Sequence, residues 1–345
     1  MSVIGSNILA GASGGSAGSA IDAVYNLALA HYNSPYITVY PWGSGFGTKY
    51  ADPSTLPTSN GRRCAFSPNG SDLAVGHSSS PYISVYPFSS GFGSKYSNPS
   101  TLPAGTGYGV TFHPDGDVIA VAHDGSPYIA AYSWSSGFGS KYSNPSTLPA
   151  GRGYGVAFHP DGDEIAVAHI LSPNITAYRW SSGFGSKRSN PAQALPYHGS
   201  DVSFSPDGSD IAIAHDNSPY VSVYPYSSGF GTKYSNPSTL PPSNANGVVF
   251  SPDGANVAVT HFNSPYISVY PWSSGFGTKY SNPSTLPTGS GYRAAWSPDG
   301  ADIAVGHSKS PYITVYAWSS GFGTKYSNPA SLPPNSVRGV SWSTI

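Results

Sequence analysis

The sequence predicts an all-β fold built from seven copies of one structural unit. The tetrapeptide Ser-Gly-Phe-Gly occurs seven times at a constant interval of 46 residues, and the dipeptide Ser-Pro follows the same interval. A repeat of this length marks a unit that cannot bury its apolar surface alone and must stack on its neighbours. Strong helix formers are scarce, whereas Tyr, Val, Ser, Thr, Gly and Pro are abundant, so the unit is predicted to consist of strands. The repeated phenylalanines are Phe46, Phe92, Phe138, Phe184, Phe230, Phe276 and Phe322.

The strand pattern is clear in the copy that spans residues 247–292. Val248 to Phe250 is apolar, and the Ser-Pro-Asp-Gly turn that follows joins it to a second strand, Asn256 to His261. A third strand, Tyr266 to Tyr270, alternates apolar and polar residues, as strands with two different faces do. After the Ser-Gly-Phe-Gly turn, a fourth strand around Thr278 to Tyr280 is polar and soon meets a proline. The unit is therefore predicted to contain four antiparallel strands, of which the last is the weakest.

The two ends of the chain are predicted to close the array. The last copy stops after VSWSTI, which matches a first strand, whereas the segment from Val24 to His31 matches the second strand of that same unit. Pairing of Val340–Trp342 with Leu27–His31 would remove the open edges of the array. Counting back seven units places the array at residues 24–345 and leaves residues 1–23 as a Gly/Ala/Ser-rich arm, which we predict to be flexible.

Composition argues against several kinds of partner and cofactor. Net charge is −1 at pH 7 and no basic block occurs, so nucleic acid is not expected as a partner. No apolar run approaches the roughly 20 residues of a membrane span, and the N-terminus lacks the pattern of a secretion signal. The single cysteine excludes an intrachain disulfide framework. Neither a cofactor nor a metal site is predicted, because no second ligand recurs with the histidines at metal-site spacing.

The repeat resembles the WD-repeat family of β-propellers. The segments VAFHPDG at 156–162 and VSFSPDG at 202–208, each followed by a strand of the IAVAH type, carry this resemblance. It implies a seven-bladed β-propeller with four antiparallel strands per blade. The Trp-Asp pair after the third strand and the Gly-His before the first strand are absent, so the hydrogen-bond network that the family builds from them is not expected here.

Two sets of residues recur in all seven units. A histidine ends each second strand, and we interpret it as a structural group packed between blades: His31, His77, His123, His169, His215, His261 and His307. An aromatic residue precedes each Ser-Gly-Phe-Gly turn. Core packing is the first interpretation of these aromatics; stacking on sugars in seven pockets is the alternative: Trp42, Phe88, Trp134, Trp180, Tyr226, Trp272 and Trp318.

The copies differ mainly in the connections before the first strand. Positions with the same residue in all seven copies maintain the common fold, whereas variable loops on a rigid scaffold commonly carry function. Tyrosine and arginine are enriched where surfaces bind partners. We therefore predict a binding face formed by Arg62, Arg63, Tyr108, Tyr154, Asp201, Asn246, Tyr292, Arg293 and Arg338.

The first residues, SVIGSNILAGASG, resemble the leader of tailed-bacteriophage virion proteins. The repeat unit, with SSGFGTKYSNPSTLP, resembles WD-repeat-like propellers of phage and bacterial origin over most of the chain. Together these resemblances imply a non-enzymatic virion structural protein of the tail, fibre or decoration type, located in the virion. Its arm would dock on other virion proteins through Val3, Ile4, Ile8 and Leu9, and its variable face would contact a host-surface glycan or protein. A lectin that binds glycans between blades is the alternative. An enzyme is not expected, because Asp201 and Glu164 lie in different parts of their blades and the sialidase-type box is absent.

Overall fold

The computed structural model describes residues 24–344, and across this range every regular element is a strand. No helix in that range is long and apolar enough to cross a membrane. The predicted docking residues Val3, Ile4, Ile8 and Leu9 lie outside the described range. The strands are β1 (Tyr25–His31), β2 (Ile37–Trp42), β3 (Gly61–Phe66), β4 (Asp72–His77), β5 (Ile83–Ser89), β6 (Gly91–Phe92), β7 (Gly107–Phe112), β8 (Val118–His123), β9 (Ile129–Trp134), β10 (Phe138–Lys141), β11 (Gly153–Phe158), β12 (Glu164–His169), β13 (Ile175–Trp180), β14 (Phe184–Lys187), β15 (Gly199–Phe204), β16 (Asp210–His215), β17 (Val221–Pro225), β18 (Ala245–Phe250), β19 (Asn256–His261), β20 (Ile267–Pro271), β21 (Gly291–Trp296), β22 (Asp302–His307), β23 (Ile313–Trp318), β24 (Phe322–Lys325) and β25 (Val337–Thr344).

These strands form seven antiparallel sheets, each a simple meander, that are arranged as the blades of a propeller. The first strands of successive blades, namely β3, β7, β11, β15, β18, β21 and β25, contact one another in a closed ring. We number the blades in chain order, with β1, β2 and β25 as blade 1. The predicted all-β, seven-bladed fold is confirmed.

The fourth strand varies among blades. Blades 2, 3, 4 and 7 form it, whereas blades 1, 5 and 6 retain a single bridge between the aromatic residue and the phenylalanine of the turn, as between Trp42 and Phe46. In the longer fourth strands, such as Phe184–Lys187, no residue is buried. Little apolar burial therefore holds this outer strand, and its length depends on local hydrogen bonds.

The ring closes through its two ends, as the sequence predicted. In the antiparallel pairing of β1 with β25, Leu27 lies opposite Trp342 and Leu29 lies opposite Val340. On its other edge β1 pairs with β2. The first blade is therefore assembled from both ends of the described chain, which leaves no open blade edge at the seam.

Each apolar cluster joins two neighbouring blades. The aromatics that precede the Ser-Gly-Phe-Gly turns lie in these clusters with exposed fractions of only 0–9%. Trp134, for example, packs edge-on against Phe112 and Phe138 with ring centroids 5.8 and 5.1 Å apart. Stacking on sugars is therefore wrong for this set, because the ring faces are already covered by protein: Trp42, Phe88, Trp134, Trp180, Tyr226, Trp272 and Trp318.

A buried hydrogen bond between blades takes the place of the network missing from the WD pattern. The indole Nε1 of Trp272 donates to Asp210 Oδ2 over 2.8 Å, and Trp42 makes the same bond to Asp302. Trp134 and Asp72 repeat the contact at 3.2 Å. In blade 4 the carboxylate is Glu164, bonded to Tyr226 and Arg188.

The seven repeated histidines are structural. All are fully buried. In blade 1, His31 Nδ1 donates to the Asn33 carbonyl (2.8 Å) and Nε2 accepts from the Thr38 hydroxyl (2.9 Å). Six blades supply such a hydroxyl, whereas blade 3 has Ala130 there. Burial lowers the pKa of each histidine to about 4, so each is neutral near pH 7.

Candidate functional site

The first strand of every blade carries a β-bulge at its second residue. In blade 2, Gly61 pairs with His77 and Arg63 pairs with Gly76, so Arg62 between them has no partner. Bulges re-aim side chains that a regular ladder would direct elsewhere. The seven bulged residues line one cavity at the mouth of the ring: Arg62, Tyr108, Tyr154, Ser200, Asn246, Tyr292 and Arg338.

The residue after each bulge forms a second ring of a different kind. Four of its members are glycines, and the other three are Arg63, Asp201 and Arg293. A Cβ on Gly339 would lie 2.8 Å from the Cα of Arg63, and one on Gly155 would lie 2.8 Å from the Cα of Asp201. The glycines therefore allow the first strands to approach closely and leave the three charged side chains to fill the second ring.

An ion network crosses the ring at this level. Arg63 Nη2 donates to Asp201 Oδ1 over 2.7 Å, although the two residues lie 138 positions and hence three blades apart, the largest separation in a ring of seven. Arg293 Nε lies 3.5 Å from Asp201 Oδ2, which also accepts the Val248 N–H (3.1 Å). Burial raises the pKa of Asp201, and Arg63 opposes that rise. The network forms the floor of the cavity.

Guanidinium groups and tyrosine rings alternate around one side of the mouth. Arg62 lies over the rings of Tyr32 and Tyr108, at 4.9 and 5.2 Å from the centroids. Arg338 lies over Tyr292 at 3.7 Å and over Tyr32 at 4.8 Å. Such contacts hold a guanidinium in place without neutralising its charge. Five of the seven arginines of the chain stand in this region: Arg62, Arg63, Arg152, Arg293 and Arg338.

A histidine and an aspartate face each other on the opposite side of the mouth. His198 Nδ1 lies 3.4 Å from Asp216 Oδ2, and the two side chains are 31% and 29% exposed. Burial raises the pKa of Asp216, while His198 opposes the rise. The ring of Tyr197 stacks on His198 with centroids 3.9 Å apart. This arrangement orients the imidazole and directs its Nε2 away from the carboxylate.

The cavity has a volume of about 430 Å³, within the usual range for small-molecule sites. Eight of the nine residues predicted for the binding face line it, and the ninth, Asp201, lies beneath them. The cavity is also lined by Ser200 and by four residues that sequence reasoning left out of the predicted set: His198, Asp216, Asn244 and Phe262. His198 carried a signal, because it is the only one of the ten histidines that is neither at the end of a second strand nor in a His-Pro-Asp-Gly turn.

A second cluster of ligand-type residues lies on the opposite face, in the Pro-Asp-Gly turn of blade 4. The ligand atoms of His159, Asp161 and Asp163 lie within 4.8 Å of one another, and both carboxylates are exposed. His159 Nε2 donates to the Gly208 carbonyl of the next blade over 3.0 Å. The imidazole therefore also links the turns of two neighbouring blades. The expected absence of a metal site stays a prediction.

The chain resembles solved propeller structures over nearly its whole length. A 6-phosphogluconolactonase candidate from Bacteroides uniformis matches with a TM-score of 0.70 and 16% identity, over 93% of this chain and 100% of the other. Its counterpart from Bacteroides fragilis gives 0.69 and 13%, covering 93% and 98%. The periplasmic gluconolactonase of Pseudomonas aeruginosa gives 0.67 and 18%, covering 92% and 99%. No protein-family model matches the chain, and no curated protein sequence matches it.

These neighbours change the functional interpretation. The expectation of a non-enzymatic phage virion protein, with a lectin as its alternative, is contradicted, because the propellers named above are lactonases by name and no comparison points to a phage protein. The expectation that the chain is not an enzyme is contradicted by the same finding. At identities of 13–18% the likeness shows the fold alone, so the reaction has to be argued from the residues of the mouth.

Proposed function

We propose that the chain is a hydrolase that opens a small cyclic ester, a lactone, in the cavity at the mouth of the ring. The observation that carries this proposal is the His198–Asp216 pair on the wall of a cavity lined by guanidinium groups. A base oriented by a carboxylate and cations close to the developing negative charge are the two requirements of ester hydrolysis. The lactonase names of the similar propellers support the same class of reaction.

His198 acts as the general base and then as the general acid. Its Nδ1 lies 3.4 Å from Asp216 Oδ2, so the tautomer with its proton on Nδ1 faces the carboxylate and Nε2 keeps the lone pair that removes a proton from water. The water oxygen then bonds to the ester carbonyl carbon. When the ring C–O bond breaks, the departing alkoxide takes the proton back from Nε2. The product is an open-chain hydroxy acid, and His198 returns to its starting state.

Arg293 is placed to stabilise the oxyanion formed in that step. Its Nη2 donates to the Ser200 carbonyl over 3.1 Å and its Nη1 to the Tyr292 carbonyl over 2.7 Å. These bonds fix the guanidinium in the wall of the cavity that His198 also lines. A donor that is already fixed before the reaction needs no reorganisation when charge develops on the carbonyl oxygen.

The test is hydrolysis of glucono-δ-lactone, followed by acid release in a weakly buffered indicator solution after subtraction of the spontaneous rate. His198→Asn is expected to lower kcat by about 10²–10⁴-fold, the usual contribution of a general base. Asp216→Asn should lower kcat less, because it removes only the orienting group. The control is His159→Asn, which removes a histidine from the opposite face.

Two results would overturn the proposal. One is a His198→Asn protein that retains the kcat of the unmodified chain. The other is the absence of hydrolysis above the spontaneous rate for both neutral and phosphorylated sugar lactones. If His159→Asn lowered kcat as much as His198→Asn, the loss would reflect folding rather than chemistry, and the base would not be His198.

A further inference from the structure

We infer that Arg62 and Arg338 form a subsite for one anionic group, a phosphate or a carboxylate, carried by the ligand at the end remote from the reacting ester. The two arginines occupy adjacent bulge positions, because β25 and β3 are first strands of neighbouring blades. Both guanidinium groups lie over the ring of Tyr32, at 4.9 Å (Arg62) and 4.8 Å (Arg338) from its centroid. This assignment of a substrate class rests on the proposed function, but the binding subsite does not.

Arg62 and Arg338 have no protein counter-charge, in contrast to three other arginines. Arg63 and Arg293 face Asp201, and Arg188 faces Glu164. Within residues 24–344, no carboxylate lies within 4.0 Å of the Arg62 or Arg338 guanidinium. Two uncompensated cations in neighbouring blades repel each other, and a bound anion would offset that repulsion.

The hydrogen-bonding capacity of the pair is also unfilled. Arg62 donates through Nε to Ser78 Oγ (2.9 Å), which leaves its terminal nitrogens to face the cavity. The Nε of Arg338 is buried and has no hydrogen-bond partner among the described residues. A buried donor without an acceptor is unfavourable. A bound phosphate or carboxylate would offer acceptors to the terminal nitrogens of both arginines, because its oxygens match the planar fork of a guanidinium.

The surrounding rings keep the two cations in position. Tyr108 and Tyr292 flank the pair on its outer sides, with Arg62 5.2 Å from the first ring and Arg338 3.7 Å from the second. Side chains held between aromatic faces lose little further freedom when a ligand binds. Burial is the main cause that lowers the pKa of Arg338, and Tyr292 and Tyr32 oppose this change.

The floor of the cavity limits the ligand to a single anionic group on this side. Asp201 faces Arg63 and Arg293, so the two cations below the mouth share one protein counter-charge and attract a second ligand anion less strongly. His198 precedes β15 of blade 5, whereas Arg62 and Arg338 belong to blades 2 and 1. A ligand that reaches both sides therefore holds its anion at the arginine pair and its ester across the mouth, beside His198.

The binding test uses the whole chain and inorganic phosphate, with acetate as the carboxylate probe, in isothermal titration at low ionic strength. Arg62→Gln and Arg338→Gln are each expected to weaken phosphate binding by about 10-fold or more, in line with the loss of a charge-assisted hydrogen bond. The matched control is Arg179→Gln, which removes an exposed arginine of β13. Tighter binding of phosphate than of acetate assigns a phosphoryl group, and the reverse order assigns a carboxylate.

Three outcomes would overturn the inference: no binding of either probe, unchanged binding in both mouth variants, or an equal loss with Arg179→Gln. Hydrolysis is then compared for a sugar lactone with and without a phosphate. The two arginine variants should raise KM for the phosphorylated lactone by a larger factor than KM for the neutral lactone. If neither lactone is hydrolysed but phosphate binding still depends on Arg62 and Arg338, the proposed function fails and the subsite stands.

Discussion

The two faces of the ring use the same repeat in different ways. On the face of the Ser-Pro-Asp-Gly and Ser-Gly-Phe-Gly turns, the copies are nearly identical, and the aromatics beneath these turns are buried between blades. At the mouth, the same bulge recurs in every blade but presents Arg62, Ser200 or Tyr292 according to the copy. The backbone of the mouth is therefore as regular as the scaffold, and only its side chains have diverged. A regular backbone can thus carry an asymmetric site.

Opening the ring is expected to have the largest effect on the stability of the repeated scaffold. Removal of residues 338–345 deletes most of β25, which pairs with β1 along its length and contributes Val340 and Trp342 to the seam between blades 7 and 1. We expect the melting temperature to fall by on the order of 10 °C or more, because several kcal/mol of burial and pairing are lost. Thermal unfolding by circular dichroism measures the effect.

The control for this truncation is Leu332→Ser, an exposed change shortly before the same strand. It should leave the melting temperature nearly unchanged. An equal melting temperature for the truncated and the complete chain would show that the seam contributes little to stability.

Acid should destabilise the scaffold through the buried histidines. Their pKa in the folded state is about 4, below the ordinary value of about 6.5, so the unfolded chain binds more protons between these values. Stability is complete above about pH 6.5 and falls as the pH drops toward 4. The loss approaches 1.4 kcal/mol per pH unit for each histidine involved.

Calorimetric melts at intervals from pH 7.5 to 4 measure this dependence. His198→Asn, a change at the mouth, should not remove it, because the protons are taken up in the interior. A melting temperature that stays constant down to pH 4.5 would contradict the assignment of these histidines to the neutral, buried form.

A smaller effect separates the hydrogen bond between blades from simple packing. Trp272→Phe removes the indole donor to Asp210. Trp180→Phe removes the same volume from blade 4, but its neighbour in blade 3 is Val118, which stands where the other blade has the aspartate. We expect the first change to lower the free energy of unfolding by about 1–3 kcal/mol more than the second, because it leaves a buried carboxylate short of a partner.

Denaturant unfolding of both variants measures that difference. Arg62→Gln at the mouth should change the free energy of unfolding by less than about 0.5 kcal/mol, as surface changes usually do. Equal losses for the two tryptophan variants would show that the indole bond contributes nothing beyond packing.

The smallest expected effect comes from a substitution in blade 3, where the repeated histidine has no hydroxyl partner. His123 lacks a hydroxyl partner because Ala130 replaces the serine or threonine of the other blades, and both its ring nitrogens are without a hydrogen bond. Ala130→Ser should raise the free energy of unfolding by about 1 kcal/mol. Denaturant midpoints measure it, with Ala131→Ser as the control. If both substitutions destabilise the protein equally, the hydroxyl is not the missing element.

Much of the scaffold could be predicted from the sequence, because each repeated residue type appears seven times in the same context. The strands, the closure of β1 with β25 and the structural role of the histidines all follow from period and alternation. The sugar-stacking alternative failed because alternation along a strand does not distinguish a covered ring from an open one. The phage assignment depended on a short leader that lies outside residues 24–344 and on a resemblance of the repeat unit to phage and bacterial propellers, whereas the similar solved propellers carry lactonase names.

The candidate site could be predicted only in part. Variation among copies identified the arginines and tyrosines of the mouth, since these are the positions at which the repeat departs from itself. It did not show that Arg63 and Asp201, 138 residues apart, touch across the ring, nor that His198 meets Asp216. These contacts depend on the diameter of the closed ring, which no single repeat encodes.

A ring of seven stacked sheets follows from the sequence alone. A unit of 46 residues can bury its apolar side chains only against copies of itself. Which ligand the mouth can bind depends on the tertiary structure. The bulge at the second residue of each first strand directs seven different side chains to one cavity, and closure of the ring sets which of them meet. Local chain chemistry specifies the blade, whereas the pairing of charges across the cavity exists only once all seven blades are in place.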